Sequence, residues 1–297
     1  NGFLKRENAQ ALIDFLLQEP MEKALIEKVE RKKEQKNPPL LYNLAELQND
    51  CSKFFKISPD ETLRIAQELY EKKLTTYPRT DARVLSVAVS KEILKNIGGL
   101  RNYPLAANFA AEILQNGSYK GIAKTRYVND KQITDHYAII PTGQGFGALR
   151  SLAPAAARVY ELIVRRFLGI FYPPAVYQKV SLVCIMKKER FFSSFKVLTE
   201  EGYQKVVRFS FAKKPAEPDR QEGERQEDVK CDAAFMRLLQ GVKKGMSVEC
   251  SGLEIKEGET SPPKRYNSGT MILTMENAGQ FIEDEELRAQ IKGSGIG

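Results

Sequence analysis

The chain has 297 residues, a formal net charge of +8, four cysteines and one histidine. That length can bury a large core and favours more than one domain, and the positive balance suits a polyanionic partner such as nucleic acid. No apolar run is long enough to span a bilayer, and Cys51, Cys184, Cys231 and Cys250 form no Cys-x-x-Cys pair. A membrane-spanning helix and a zinc ribbon are thereby excluded, and the cysteines read as small buried hydrophobes in a reducing compartment.

Residues 7–18 place Ala9, Leu12, Ile13, Leu16 and Leu17 near helical spacing, with Pro20 as the stop. Residues 21–36 are rich in charge, with a weaker pattern at Ala24, Ile26 and Val29, and predict a strand leading to a basic connector. Asn37-Pro38-Pro39 marks a boundary. From Leu40 the chain turns helical. Asn43 with Glu46, and Ser58 with Glu61, stand in capping-box spacing, and Pro59 suits a first helical position. Ile65, Ala66, Leu69 and Tyr70 give that helix one apolar face, which runs out near Lys73. Ser86 can cap a further helix, with Val89, Ile93, Leu94 and Ile97 inward and Gly98-Gly99 as its stop. Helices also fit residues 104–115 and 154–171, the second with Val159, Ile163, Phe167 and Ile170 inward and Arg165 and Arg166 outward.

After Pro173-Pro174 the character changes. Residues 176–186, 190–198 and 203–211 are rich in Val, Phe, Tyr and Ser with partial alternation, and predict strands. Residues 213–230 hold almost no large apolar side chain and predict a solvated loop. A short helix at 232–240, a strand at 246–257, a boundary at Pro262-Pro263 and a helix over 268–292 follow. The order is that of a helical module inserted into a β-rich module, which makes the chain α+β and multidomain.

The segment Leu74-Thr75-Thr76-Tyr77-Pro78-Arg79-Thr80-Asp81-Ala82-Arg83 carries the most chemistry. Pro78 keeps Tyr77 out of the helical region, so the tyrosine sits on extended or turn backbone at a helix end. In extended chain, side chains two apart share a face. That places the Tyr77 phenol, an oxygen nucleophile, with the Arg79 guanidinium, a planar cation that grips phosphate with two hydrogen bonds. A free phenol titrates near ~10 and needs assistance at neutral pH. Arg79 would favour the phenolate and stabilise charge building on phosphate oxygens. Asp81, two past Arg79, either holds that guanidinium or is an ordinary surface acid. Arg83 and Arg265 suit either backbone-phosphate contacts or a solvated surface, and Lys72 and Lys73 complement a helix dipole. His136 is the only histidine; taken alone it is a structural hydrogen-bonding group or a proton-transfer group.

Residues 74–83 resemble, throughout, the active-site signature of the type IA DNA topoisomerases, in the bacterial topoisomerase III-like branch. Asp135-His136-Tyr137-Ala138-Ile139-Ile140-Pro141-Thr142 is similar to the family's His-x-Ala-Ile-x-Pro segment. Pro262-Pro263-Lys264-Arg265-Tyr266, followed by Met275-Glu276 and Gly295-Ile296-Gly297, resembles the Pro-Pro-x-Arg-(Tyr/Phe) lead-in to its last core helices. The matches keep the family's order. The resemblance implies a β-rich arch from residues 1–38 and 176–261, a helical winged-helix-like domain bearing the tyrosine at 39–175, and the start of a helical core domain at 262–297. It implies that Tyr77 breaks one DNA strand as a 5′-phosphotyrosyl link, with resealing that needs no ATP. Arg79 and His136 would act at the scissile phosphate, and Asp81, Arg83 and Arg265 would help to hold DNA.

The same resemblance implies a single-stranded DNA partner, a monomer, no membrane, and a cytoplasmic, nucleoid-associated bacterial setting. Magnesium would be held by an acidic N-terminal (TOPRIM) domain with no counterpart in these residues. The chain is thus expected to be an internal piece of a longer protein, with no cofactor of its own and little or no activity alone. Two other classes stand beside this one. A tyrosine recombinase or relaxase is disfavoured by the single histidine and by Tyr77 preceding it. A non-catalytic basic DNA-binding module would use Tyr77 only to stack on bases.

Overall fold

A computed structural model describes residues 2–20, 22–211, 228–230 and 232–291. In chain order the helices are α1 (Arg6–Leu17), α2 (Leu44–Phe55), α3 (Pro59–Glu71), α4 (Val87–Gly99), α5 (Ala107–Asn116), α6 (Pro154–Gly169), α7 (Ala233–Gly241), α8 (Ser268–Glu276) and α9 (Glu285–Ile291). The strands are β1 (Ala24–Lys36), β2 (Ala175–Met186), β3 (Glu189–Glu200), β4 (Asp228–Lys230) and β5 (Ser247–Val248). The chain is α+β and forms two compact units. One comprises Asn1–Lys36, Ala175–Glu201 and Asp219–Pro263; the other comprises Asn37–Pro174, Gly202–Pro218 and Lys264–Gly297.

The first unit is built on one sheet, in the order β4-β3-β2-β1-β5. β1 runs antiparallel to β2 from Leu25↔Ile185 to Lys36↔Ala175, and β2 to β3 as a hairpin turning at Lys187, whose φ is +53°. Val180 and Leu182 on the sheet pack with Met236 and Leu239 of α7, flanked by Val29, Phe195, Val197 and Val242. Arg31 finishes that helix. Its guanidinium donates to the carbonyls of Leu239, Gln240 and Val242 at 3.0, 3.1 and 2.6 Å, at the end of the helix where carbonyls lack intrahelical partners. The expected basic connector after β1 is strand throughout: the charged residues continue the ladder as far as Lys36. The strand expected over 246–257 shrinks to Ser247–Val248, since only Ala24 and Leu25 are there to pair with it.

The second unit is helical, and its centre is α6, buried along most of its length. Arg165 and Arg166, expected outward, are inside. Arg165 is 6% exposed; it donates to Glu161 Oε1 at 2.6 Å and to the carbonyls of Val206 and Leu105 at 2.8 and 3.1 Å. Arg166 donates to Asp50 Oδ2 at 2.7 Å and to the Tyr42 hydroxyl at 3.0 Å. Each buried charge has a carboxylate partner, the condition on which such burial is tolerated.

Residues 203–211, expected as a strand, instead open with a 3-10 turn at Gly202–Lys205. Their alternation serves packing: Phe209 and Phe211 stack on each other at 5.0 Å and meet Phe54 and Phe55 of α2 at 5.4 and 4.9 Å. Ser210 between them is tied to Glu161 through its amide and hydroxyl. The helix expected over 268–292 is two, α8 and α9, parted by a 3-10 turn at Ala278–Phe281. The loop expected at 213–230, apart from β4, lies outside the described residues, as do Cys231 and Gly295-Ile296-Gly297.

Candidate active site

Tyr77 is delivered by the end of α3. Ser58 caps that helix by accepting from the Glu61 amide, and Pro59 opens it. The helix stops where Lys73 takes a φ of +61°, and the Lys73 and Leu74 amides turn back to the carbonyls of Tyr70 and Leu69 at 2.8 and 2.9 Å. The chain then leaves along a short antiparallel pairing. Thr76 N–H donates to the Ile140 carbonyl at 2.9 Å, Thr142 N–H donates to the Leu74 carbonyl at 3.0 Å, and Thr75 bridges Pro141. Gly145 lets the loop beyond pack on the end of α3. Its φ is +75°, and a Cβ there would lie 2.4 Å from the Lys72 carbonyl oxygen, closer than any side chain tolerates.

Two hydroxyls complete the join. Thr76 Oγ1 donates to the Ala138 carbonyl at 3.1 Å and accepts from the Ile140 amide at 2.9 Å. Thr80 Oγ1 donates to the His136 carbonyl at 2.7 Å and accepts from the Ala82 amide at 3.1 Å. They bracket Tyr77-Pro78-Arg79. Within the bracket the Tyr77 ring lies 4.5 Å from the His136 ring, tilted by 48°, and Tyr70 meets it edge-on at 5.4 Å. Both spacings fall where aromatic rings attract. Tyr77 is half-buried and His136 exposed. A phenol thus stands beside an imidazole, an oxygen nucleophile next to a proton-transfer side chain.

The other candidates are placed differently. Arg79 is exposed and lines an open groove along α3 with Asp60, Leu63, Arg64, Gln67, Glu68 and Glu71. Among the described residues, no hydrogen bond or cation–π contact joins it to Tyr77 or to Asp81. Asp81 is exposed, and its backbone carbonyl accepts from Asn43 Nδ2 at 3.2 Å. Arg83 pairs with Glu46 at 2.5 Å. Arg265 is exposed, two residues ahead of the Asn267 that caps α8. The structure therefore unites Tyr77 with His136 and leaves the other four side chains outside that pair.

Asn43, Thr80 and Glu276, not among the candidates drawn from the sequence, tie together the segments around the pair. Asn43 is 1% exposed; it caps α2 by accepting from the Glu46 amide and donates from Nδ2 to Glu276 Oε1 at 2.6 Å as well as to Asp81. Burial holds the Glu276 carboxyl above its ordinary range, Glu46 and Asp81 adding to the shift while the Asn43 bond and Arg83 oppose it. Capping-box spacing flagged Asn43 as a helix start. Nothing local flagged its distant partner.

The family model described as "DNA topoisomerase" matches residues 1–297. The chain is 35% identical over 251 residues to DNA topoisomerase 3 of Bacillus subtilis (strain 168), covering 84% of this chain and 32% of that protein. It is 32% identical over 289 residues to DNA topoisomerase 3 of Shouchella clausii (strain KSM-K16), covering 95% and 36%. Full-length topoisomerase I from Thermotoga maritima shares its fold, with a TM-score of 0.60 at 22% identity over 98% of this chain and 42% of that one. The chain belongs to the DNA topoisomerase family, in the type IA, topoisomerase III-like branch. It spans about a third of the length of those curated relatives.

Proposed function

We propose that this chain carries the nucleophile of a type IA DNA topoisomerase, an enzyme that cuts one DNA strand transiently, passes another through and reseals the first. The Tyr77 phenol oxygen attacks a backbone phosphorus. The Tyr77 O–P bond forms, the P–O3′ bond breaks, the phenolic proton leaves, and the departing 3′ oxygen gains a proton as a free hydroxyl. One phosphoester replaces another, so the reversal needs no ATP. The placement of the Tyr77 ring against His136 on an open surface is the observation that supports this most directly. His136 moves a proton at the attacking or leaving oxygen and touches the scissile phosphate region. Arg79 swings from its groove to grip the phosphate. Asp81, Arg83 and Arg265 help to hold the backbone of single-stranded DNA.

In this reading residues 39–175 are a winged-helix-like domain carried on a β-rich arch made of 1–38 and 176–261, with 262–297 opening a helical core. The full-length protein is a monomer of the bacterial cytoplasm, associated with the nucleoid. It uses Mg2+. Among the described residues no group of three or more His, Cys, Asp or Glu side chains is disposed to hold a metal ion, so the residues present do not fit that site and no step here passes through it. The 297 residues alone are expected to relax supercoils weakly or not at all.

Trapping tests the proposal. Full-length protein is mixed with end-labelled single-stranded DNA and denatured. The expected result is a covalent adduct to the 5′-phosphate end of the break, lost in Tyr77→Phe. Intact binding with no adduct would leave only a DNA-binding module, and a 3′ linkage would indicate recombinase chemistry.

A further inference from the structure

We infer that Thr80 is a positioning residue for strand cleavage: its hydroxyl sets where His136 stands relative to Tyr77. The inference rests on the assignment of Tyr77 as nucleophile and His136 as its partner. Among the described residues the His136 side chain makes no hydrogen bond that would anchor it. The ring is exposed, and among the described residues it meets the Tyr77 ring itself. What fixes the residue is its main chain, and there the carbonyl accepts the Thr80 hydroxyl at 2.7 Å.

Thr80 is suited to transmit position. It is 7% exposed, its Oγ1 is also the acceptor for the Ala82 amide at 3.1 Å, and its own carbonyl accepts from Leu44 N–H, the first residue of α2, at 3.1 Å. The residue is therefore pinned through its carbonyl to a helix start and through its hydroxyl to the histidine. Thr76 does the same at the far end through Ala138 and Ile140. Between the two, Tyr77 and His136 are held across paired segments. Without the Thr80 hydroxyl the segment stays held from Ala138 onward, where the Ala138 and Ile139 amides donate to the Val84 and Tyr42 carbonyls at 3.0 and 2.8 Å, and loses the bond at the histidine itself. A displacement of the order of 1 Å between reacting groups is enough to cost about a hundredfold in rate.

The test is a double-mutant cycle in the full-length protein, reading the single-turnover rate of covalent adduct formation on a short single-stranded oligonucleotide. Thr80→Val keeps the shape and removes the hydroxyl; Thr80→Ser keeps the hydroxyl. The valine variant is expected to slow adduct formation by about ten- to a hundredfold, with oligonucleotide binding unchanged and serine restoring most of the rate. In a His136→Gln background the same valine change is expected to cost almost nothing, because Thr80 acts through that histidine. An equal loss in both backgrounds would overturn the inference, as would a valine variant as fast as the parent. If the valine variant does not fold, Thr80→Ala takes its place in the cycle with the same outcomes. Should the unsubstituted protein form no Tyr77 adduct at all, the underlying assignment fails instead, so the two failures are told apart.

Discussion

The rings of Tyr77 and His136 lie 4.5 Å apart on two segments that are stitched together by backbone pairing and by threonine hydroxyls. On the proposed function, a nucleophile and its proton partner are thereby set before any substrate arrives. Removing the imidazole should then cost rate without costing affinity. His136→Gln is expected to slow single-turnover cleavage by about 10²–10⁴, the usual share of general acid–base help, while oligonucleotide binding measured by anisotropy stays within error. Unchanged cleavage would remove His136 from the chemistry.

Arg79 rests in a groove with Asp60, Glu68 and Glu71; the proposed grip on a phosphate would then depend on the guanidinium fork and not on proximity to Tyr77 in the free protein. Arg79→Lys keeps the charge and loses the two-pronged donor. We expect it to cleave at least about tenfold more slowly than the parent, with Arg79→Ala slower again. A lysine variant at parental rate would show that charge alone suffices.

The pair Asp50–Arg166 is buried on both sides, at 9% and 10% side-chain exposure, and Tyr42 donates its hydroxyl to the same carboxylate oxygen at 2.5 Å. Asp50→Asn leaves a buried guanidinium without its counter-charge, and denaturant unfolding should show a loss of about 3–5 kcal/mol. Tyr42→Phe removes the two hydrogen bonds of that hydroxyl, to Asp50 and from Arg166, and keeps the pair, so its cost should be smaller, about 2 kcal/mol. The order of the two losses is the check.

Glu276 predicts a pH dependence. Its carboxyl is held above the ordinary value by burial first, with Glu46 and Asp81 contributing. A carboxyl raised on folding favours the protonated form, so its contribution is complete below the unfolded value and is lost as pH rises through the folded one. The packing of α8 on α2 should therefore weaken as pH climbs out of the usual carboxylate range. Glu276→Gln, neutral and still able to accept from Asn43, should flatten the fall in melting temperature over that window. An unchanged slope would refute the assignment.

Local signals in the sequence were sufficient for the helices that frame the site. Asn43, Ser58 and Ser86 each accept from the amide three residues on, the bonds that their spacing predicts, and the tyrosine follows the end of α3. What the sequence left hidden is what depends on distant partners. Arg165 and Arg166 look like a solvated face until Glu161, Asp50 and the Val206 carbonyl are brought to them. Phe209 and Phe211 look like a strand until the rings of α2 stand opposite. Arg79 shares a parity with Tyr77, but parity fixes a face only in regular strand, and the proline and the Thr80 turn end that regularity at once.

Asn43 is where the helix start, the loop beyond Arg79 and α8 converge on a single amide group. Serine or aspartate would start α2 equally well, yet aspartate cannot donate and serine has one hydrogen where two are used, toward Asp81 and Glu276. A position that by helix chemistry alone admits several side chains is thus narrowed to one, and three parts of the helical unit must vary together or not at all.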